Sequence, residues 1–209
     1  AAERIDSKTL LQEVGIQSGI LVLLGCDDAQ QCLDLYADGK YVVQALDRDG
    51  EKVAKVRERI QGEALNGPVS ARVLRGEELP YLDNLVNLLV VDNPLGIPQE
   101  EMLRVVRPLG LLMIRNGEGW KKIVKPWPEE IDEWTHYLHG PDNNAVARDT
   151  KAGLPKHVQW IGYPKYARSH EQLASISAMV STNGRIFCII DEGLTADIRM
   201  PARWNLVAR

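Results

Sequence analysis

No run of apolar residues in this chain approaches the ~20 needed to cross a bilayer, so no membrane span is expected. Nor is there a stripe of lysine and arginine. Charge is mixed along the sequence, with a net value of −4 and a pI of about 5.6, which argues against a nucleic-acid partner. Cysteine is scarce: Cys26, Cys32 and Cys188 are odd in number, at spacings that match neither zinc pairs nor a redox C-x-x-C. They read as small buried hydrophobes and leave the compartment open. The opening AAERIDSKTL lacks the charged and apolar regions of a targeting segment; an exported precursor is expected only if Ala1-Ala2 are the remnant of a signal-peptidase cut. Two phosphate-binding signatures are also missing. No G-x-G-x-x-G follows the first apolar run and no G-K-[ST] occurs, which removes plain dinucleotide binding and Walker-type nucleotide binding.

What is present is a repeated strand, turn and helix. The 209 residues suffice for one large domain or for one domain plus part of another. Gly19–Gly25 is an apolar run ending in glycine, the pattern of a strand covered on both faces. Asp28 to Tyr36 has helical spacing through Cys32, Leu33 and Leu35; Tyr41–Leu46 reads as a second strand ending at Asp47. Glu51–Ile60 is an amphipathic helix with Val53, Val56 and Ile60 on one side, opened by a capping carboxylate in Asp49-Gly50. Val73-Leu74 reads as a short third strand and Val86–Val91 as a fourth. The helix Pro98–Arg107 is expected to stop at Pro108, which lacks an N–H, and Leu111–Ile114 is the fifth strand. Alternating units of this length predict an α/β fold with a doubly wound, mostly parallel sheet. After Ile114, turn chemistry at 115–119 predicts that Trp120–Val124 returns antiparallel to the fifth strand.

Several of these segments resemble class I S-adenosylmethionine (SAM) methyltransferases, whose domain is Rossmann-like. EMLRVVRPLGLLMI, Glu101 to Ile114, is similar to the family's E-x-x-R-V-L-x-P-G-G at the fifth strand, and Leu79 to Val91 is similar to its L-P-F-x-D-x-S-F-D-L-V-V. The resemblance implies that Gly25 begins the loop holding the methionyl end of SAM and that Asp47 accepts hydrogen bonds from the ribose hydroxyls. It covers about residues 14–124. Three ligand positions depart from the pattern: Asp27 and Ala29 replace the second and third glycines of G-C-G-x-G, and Arg75 replaces the acid that meets the adenine amino group. An aspartate brings charge into the loop, and arginine cannot accept a hydrogen bond. Scaffold positions are kept while ligand positions have changed. No N-P-P-Y-like catalytic motif is present, and Asp92-Asn93-Pro94-Leu95 reads as a turn.

Lys125-Pro126-Trp127-Pro128 is a stiff connector, assigned to residues 125–131 between an α/β domain (1–124) and a β-rich segment (132–209). In that segment Trp134 to Asn144, Leu154-Pro155 to Trp160, and Met179 to Asp191 resemble the opening and repeat core of pyrroloquinoline-quinone-type (PQQ-type) β-propellers. Together the two likenesses resemble large bacterial proteins carrying a methyltransferase-like domain ahead of such a propeller. Asn183-Gly184 marks a hairpin between Ile176–Val180 and Ile186–Ile190. His136 and His139, three apart, with His170 distant, do not make a metal site at definite spacing, and Trp134, Trp160 and Trp204 read as packing residues. A propeller needs at least about four blades of four strands, so this segment is an incomplete one.

The reading that follows is an interaction or assembly protein. A degenerate methyltransferase-like domain serves as scaffold, and a propeller-derived segment docks to a protein partner or to the remainder of a longer chain. The alternative is a SAM-dependent methyltransferase with Gly25 and Asp47 as its cofactor residues. On the first reading no cofactor is expected; on the second it is SAM.

Overall fold

A computed structural model describes residues 11, 15–117, 119–150, 176–194 and 199–208. The chain divides into two units, Ala1–Trp127 and Pro128–Arg209. In the first, β1 (Gly19–Leu24), α1 (Ala29–Asp34), β2 (Tyr41–Asp47), α2 (Gly50–Gly62), β3 (Val69–Val73), β4 (Val86–Val91), α3 (Gln99–Val105), β5 (Val106–Asn116) and β6 (Gly119–Val124) follow one another. The sheet order is β3-β2-β1-β4-β5-β6, with every pair parallel except β5–β6.

Side chains alternate across a strand, so the continuous apolar runs feed two cores at once. On one face Leu21, Leu23, Val43, Ala45, Leu88 and Val90 meet Cys32 of α1 and Val53, Val56 and Ile60 of α2. On the other, Val22, Leu24, Leu46, Leu89 and Leu112 meet Met102 and Val105 of α3. The doubly wound sheet predicted from the runs is present, with Leu111↔Val124 to Asn116↔Gly119 confirming the antiparallel return. The Asp49 carboxylate caps α2 by accepting from the amides of Glu51 and Lys52.

Two boundaries differ from the sequence expectation. The third strand starts at Val69 instead of Val73, because Ser70 and Arg72 interrupt the apolar pattern on a strand that is the edge of the sheet. Helix α3 ends at Val105, short of Arg107. The amides of Asn84 and Leu85 capture the carbonyls of Arg104 and Val105, and Val106 already pairs with Val86. Residues 107–110 are then an irregularity before Leu88↔Leu111. Leu109 has φ +59° there, and a Cβ on Gly110 would lie 2.8 Å from the Arg107 carbonyl oxygen.

The end of α3 is closed by a residue from beyond β6. The Lys125 ammonium donates to the carbonyls of Leu103 (2.6 Å) and Val106 (2.8 Å) and to Asn84 Oδ1 (2.7 Å). It satisfies carbonyls that a helix terminus leaves without partners. The backbone of Lys125 also exchanges hydrogen bonds with Leu109 and Gly110.

The second unit contains β7 (Ile176–Thr182), β8 (Arg185–Asp191) and β9 (Trp204–Ala208), an antiparallel sheet in that order. Asn183 and Gly184, at φ +48° and +71°, make the expected two-residue hairpin turn. Residues 133 and 134 brace it: Thr182 Oγ1 and the Asn183 amide donate to the Glu133 carboxylate, and Trp134 exchanges hydrogen bonds with Ser181. Among the described residues this is a small three-stranded antiparallel sheet, and it does not show the propeller-like segment expected from the sequence. Leu154-Pro155, Trp160 and His170 lie outside the described residues. Trp204 is half exposed, where the sequence reading expected packing. No helix among the described residues is long and apolar enough to cross a membrane.

Candidate functional site

In an open α/β sheet, ligands bind at the carboxyl ends of the strands where the winding reverses. Here that point lies between β1 and β4, since β2 and β3 extend to one side of β1 and β4 to β6 to the other. The loops that flank it are Gly25–Asp28 and Asp92–Ile97. Both sequence-predicted cofactor residues are here, one at the end of β1 and one at the end of β2.

Gly25 has φ +83°, and a Cβ on it would fall 2.7 Å from Asn93 Cβ and 2.8 Å from the Asn93 amide nitrogen. Its missing side chain is thus required by the approach of the β4 loop, independently of any ligand. Asp47 is 2% exposed. Its Oδ2 accepts from the Cys26 amide and its Oδ1 from the Asp49 amide, each at 2.9 Å. Such charge-assisted bonds tie the loop after β1 to the end of β2.

The remaining charges around the crevice are also engaged. Asp27, the departure from the glycine pattern, forms an ion pair with Lys52 of α2. Asp92, at the end of β4, pairs with Arg115 of β5, whose guanidinium also lies 4.8 Å over the Trp120 ring. Arg48 Nε donates to the Leu95 carbonyl at 2.8 Å, so a side chain from the β2 end reaches the β4 loop. The Leu95 amide in turn donates to Asn93 Oδ1 at 3.0 Å, the turn expected at residues 92–95.

Cys26 lies in the middle of this cluster, buried at 2% exposure. Burial first, and then the Asp47 charge, push its thiol up to about 12. It is therefore a neutral thiol near neutral pH and no nucleophile, because the thiolate is the reactive form. Cys32 is pushed up to about 12 by burial as well. Free, buried cysteines are what the spacing predicted, and Cys188 shares that state.

The E-x-x-R pair has a structural task. Arg104 Nε and Nη2 donate to the two Glu101 oxygens at 2.7 and 2.8 Å, and its Nη1 donates to the Tyr81 carbonyl (3.0 Å) and Asp83 (2.5 Å). Glu101 Oε1 also accepts from the Leu79 amide at 2.7 Å. This fork fixes the loop after β3. Arg104 holds the Glu101 carboxyl below its usual range, and the Leu79 amide adds to that.

In the second unit Asp132 accepts from His139 Nε2 (2.6 Å) and from the amides of Arg148 and Glu133. His136 and His139 face each other across a reciprocal backbone pair. Only His139 is buried. Among the described residues no group of three or more His, Cys, Asp or Glu side chains is placed to hold a metal ion.

The α/β unit is Rossmann-like. No family model matches the chain. Among solved structures, a SAM-dependent methyltransferase from Aquifex aeolicus is 27% identical, with a TM-score of 0.43, over 52% of this chain and 62% of that one. Geranyl diphosphate C-methyltransferase from Streptomyces coelicolor A3(2), solved with S-adenosyl-L-homocysteine, is 14% identical with a TM-score of 0.47, over 52% and 43%. The [4+2]-cyclase SpnF is 21% identical with a TM-score of 0.46, over 52% and 42%. The chain thus spans about half the length of these proteins. A 111-residue stretch is 33% identical to the DNA-directed RNA polymerase subunit beta of Treponema pallidum, covering 51% of this chain and 9% of that protein. So small a share of the larger protein assigns no family.

Sequence reasoning placed Gly25 and Asp47 at the crevice but missed Asn93, Arg48 and Lys52. Those three act through contacts 25 to 68 residues away along the chain, and no local pattern announces them.

Proposed function

We propose that this chain is an interaction or assembly protein, in which a methyltransferase-like α/β unit serves as scaffold and the β-rich unit, derived from a PQQ-type propeller, docks to a protein partner or to the remainder of a longer chain. The observation that carries the scaffold reading is the state of Asp47. A carboxylate that is 2% exposed and already accepts from two backbone amides is organising its own loop, and a ribose would have to displace that arrangement. The departures at Asp27, Ala29 and Arg75 point the same way.

The docking reading is supported by the β7–β9 sheet. Val180, Phe187, Ile189 and Leu206 share one of its faces through the pairs Val180↔Phe187 and Ile189↔Leu206, and Leu206 is 77% exposed. Covering such a face with protein removes apolar surface from water.

The second reading, a SAM-dependent methyltransferase, is favoured by the position of Asp47 at the end of β2, beside the loop after β1. In that case Asp47 would bind ribose, Gly25 would leave room for the methionyl end, and positioning of the acceptor would dominate the rate. Calorimetric titration of SAM into the purified chain separates the two. The scaffold reading expects no measurable binding; a dissociation constant in the low micromolar range, about −8 kcal/mol, would establish the cofactor site and retire the scaffold.

A further inference from the structure

A further feature lies at the open edge of the α/β sheet. A cavity of about 390 Å³ is lined by Arg57 of α2, Arg72 and Val73 of β3, and Leu74, Arg75 and Pro80 of the loop that follows. We propose that Arg57, Arg72 and Arg75 form a binding site for the phosphate group of a small molecule.

Three arginines line this cavity in a chain whose net charge is −4. Among the described residues no ion pair involves any of them, although Glu77 and Glu78 follow in the same loop. Concentrated unpaired positive charge costs stability through mutual repulsion, and an anion offsets that cost.

The site is also partly preorganised. Arg57 Nε donates to the Ala71 carbonyl at 2.9 Å, which holds the guanidinium against the edge strand and leaves its two terminal nitrogens for a ligand. The Leu74 amide turns inward to Asp47 of β2. Successive residues of a strand direct their backbone groups to opposite sides, so the Val73 N–H points outward, away from β2 and toward the cavity. Planar guanidinium forks and an outward amide suit the oxygens of a phosphate dianion better than a single carboxylate, which one fork would satisfy.

Val73, Leu74 and Pro80 add an apolar wall against which the uncharged part of a ligand can lie. The cavity falls within the ~300–1,000 Å³ typical of small-molecule sites. Arg75 also stands where the resemblance places the adenine contact, but neither Gly25 nor Asp47 nor any residue of the loops after β1 and β4 lines the cavity, so the phosphate site does not require that SAM bind.

The test uses the whole chain, titrated calorimetrically with inorganic pyrophosphate and, separately, with AMP at 0.15 M salt. Binding of either in the micromolar to low millimolar range is expected. Arg72→Ala and Arg75→Ala, both at exposed positions, should each weaken it by about tenfold or more, with the far-ultraviolet circular dichroism unchanged. AMP tighter than pyrophosphate identifies a nucleotide monophosphate as the source of the phosphate; the reverse identifies a free phosphate or diphosphate. No binding of either probe at 5 mM, roughly the weak limit of specific sites, overturns the proposal. So does binding that both arginine variants retain at wild-type strength.

Discussion

In the α/β unit Leu89 of β4 and Leu112 of β5 are fully buried neighbours. In the β-rich unit the equivalent cross-strand neighbours Ile189 and Leu206 are 38% and 77% exposed. The first sheet has helices on both faces; the second, among the described residues, has one face left to solvent. The contrast shows where each unit's stability resides: the first has closed its apolar surfaces by itself, and the second keeps a surface whose burial is still available as binding energy.

The largest effect expected from this contrast is on packing. Leu89→Ala should destabilise the α/β unit by about 2–5 kcal/mol, while Leu206→Ala in the isolated chain should stay within about 0.5 kcal/mol. Denaturant melts of both variants, with amide exchange assigning the loss to one unit, check this. A large loss from Leu206→Ala would show that its side chain is covered and that the two sheets do not differ.

Asp47→Ala should cost about 1–3 kcal/mol, because two amides lose a charged acceptor in a buried place. The Cys26 amide should then exchange faster. If stability and exchange were both unchanged, Asp47 would be free for a ligand and the methyltransferase reading would gain.

Acid should act on the β-rich unit through Asp132. The Arg148 amide, the His139 ring and the Glu133 amide lower its carboxyl to about 2. A depressed carboxyl contributes stability that is complete above its unfolded value and is lost as pH falls through the folded one. The Arg148 amide should therefore lose exchange protection between about pH 4 and pH 2, and Asp132→Asn should flatten that profile. A variant that loses protection over the same range as the native protein would place the titrating group elsewhere.

The smallest expected response is to a thiol reagent at pH 7.5. Cys26 and Cys32, buried and pushed up to about 12, should stay unmodified over hours and react once denaturant is added. Fast labelling of Cys26 in native buffer would mean that the crevice opens readily.

Strands buried on both faces were legible because their signal is local: Leu21–Leu24 and Leu88–Val91 are continuous apolar runs and they pair as neighbours. Edge strand β3 was read four residues late, since a strand with an open side tolerates Ser70 and Arg72. The end of α3 was misread because Arg104 and Val105 give up their carbonyls to Asn84 and Leu85, a tertiary competition that Pro108 does not announce. At the crevice, residue identity fixed the places of Gly25 and Asp47. What each is bonded to depends on Asn93, Cys26 and Asp49, and that was decided only by folding.

Lys125 gives the α/β unit a mechanical property. Its ammonium holds the end of α3, and its backbone bonds to Leu109 and Gly110 in the irregular part of β5, so one residue joins a helix end, a strand interruption and the last edge strand. Tension entering from the chain beyond Trp127 meets this clamp before it reaches the parallel strands. The clamp must shed its carbonyl bonds and the backbone pair together before β6 can peel from β5. Force should then be resisted in a single abrupt step, and Lys125→Met, which keeps the length of the side chain but removes the ammonium, should turn that step into a gradual yield.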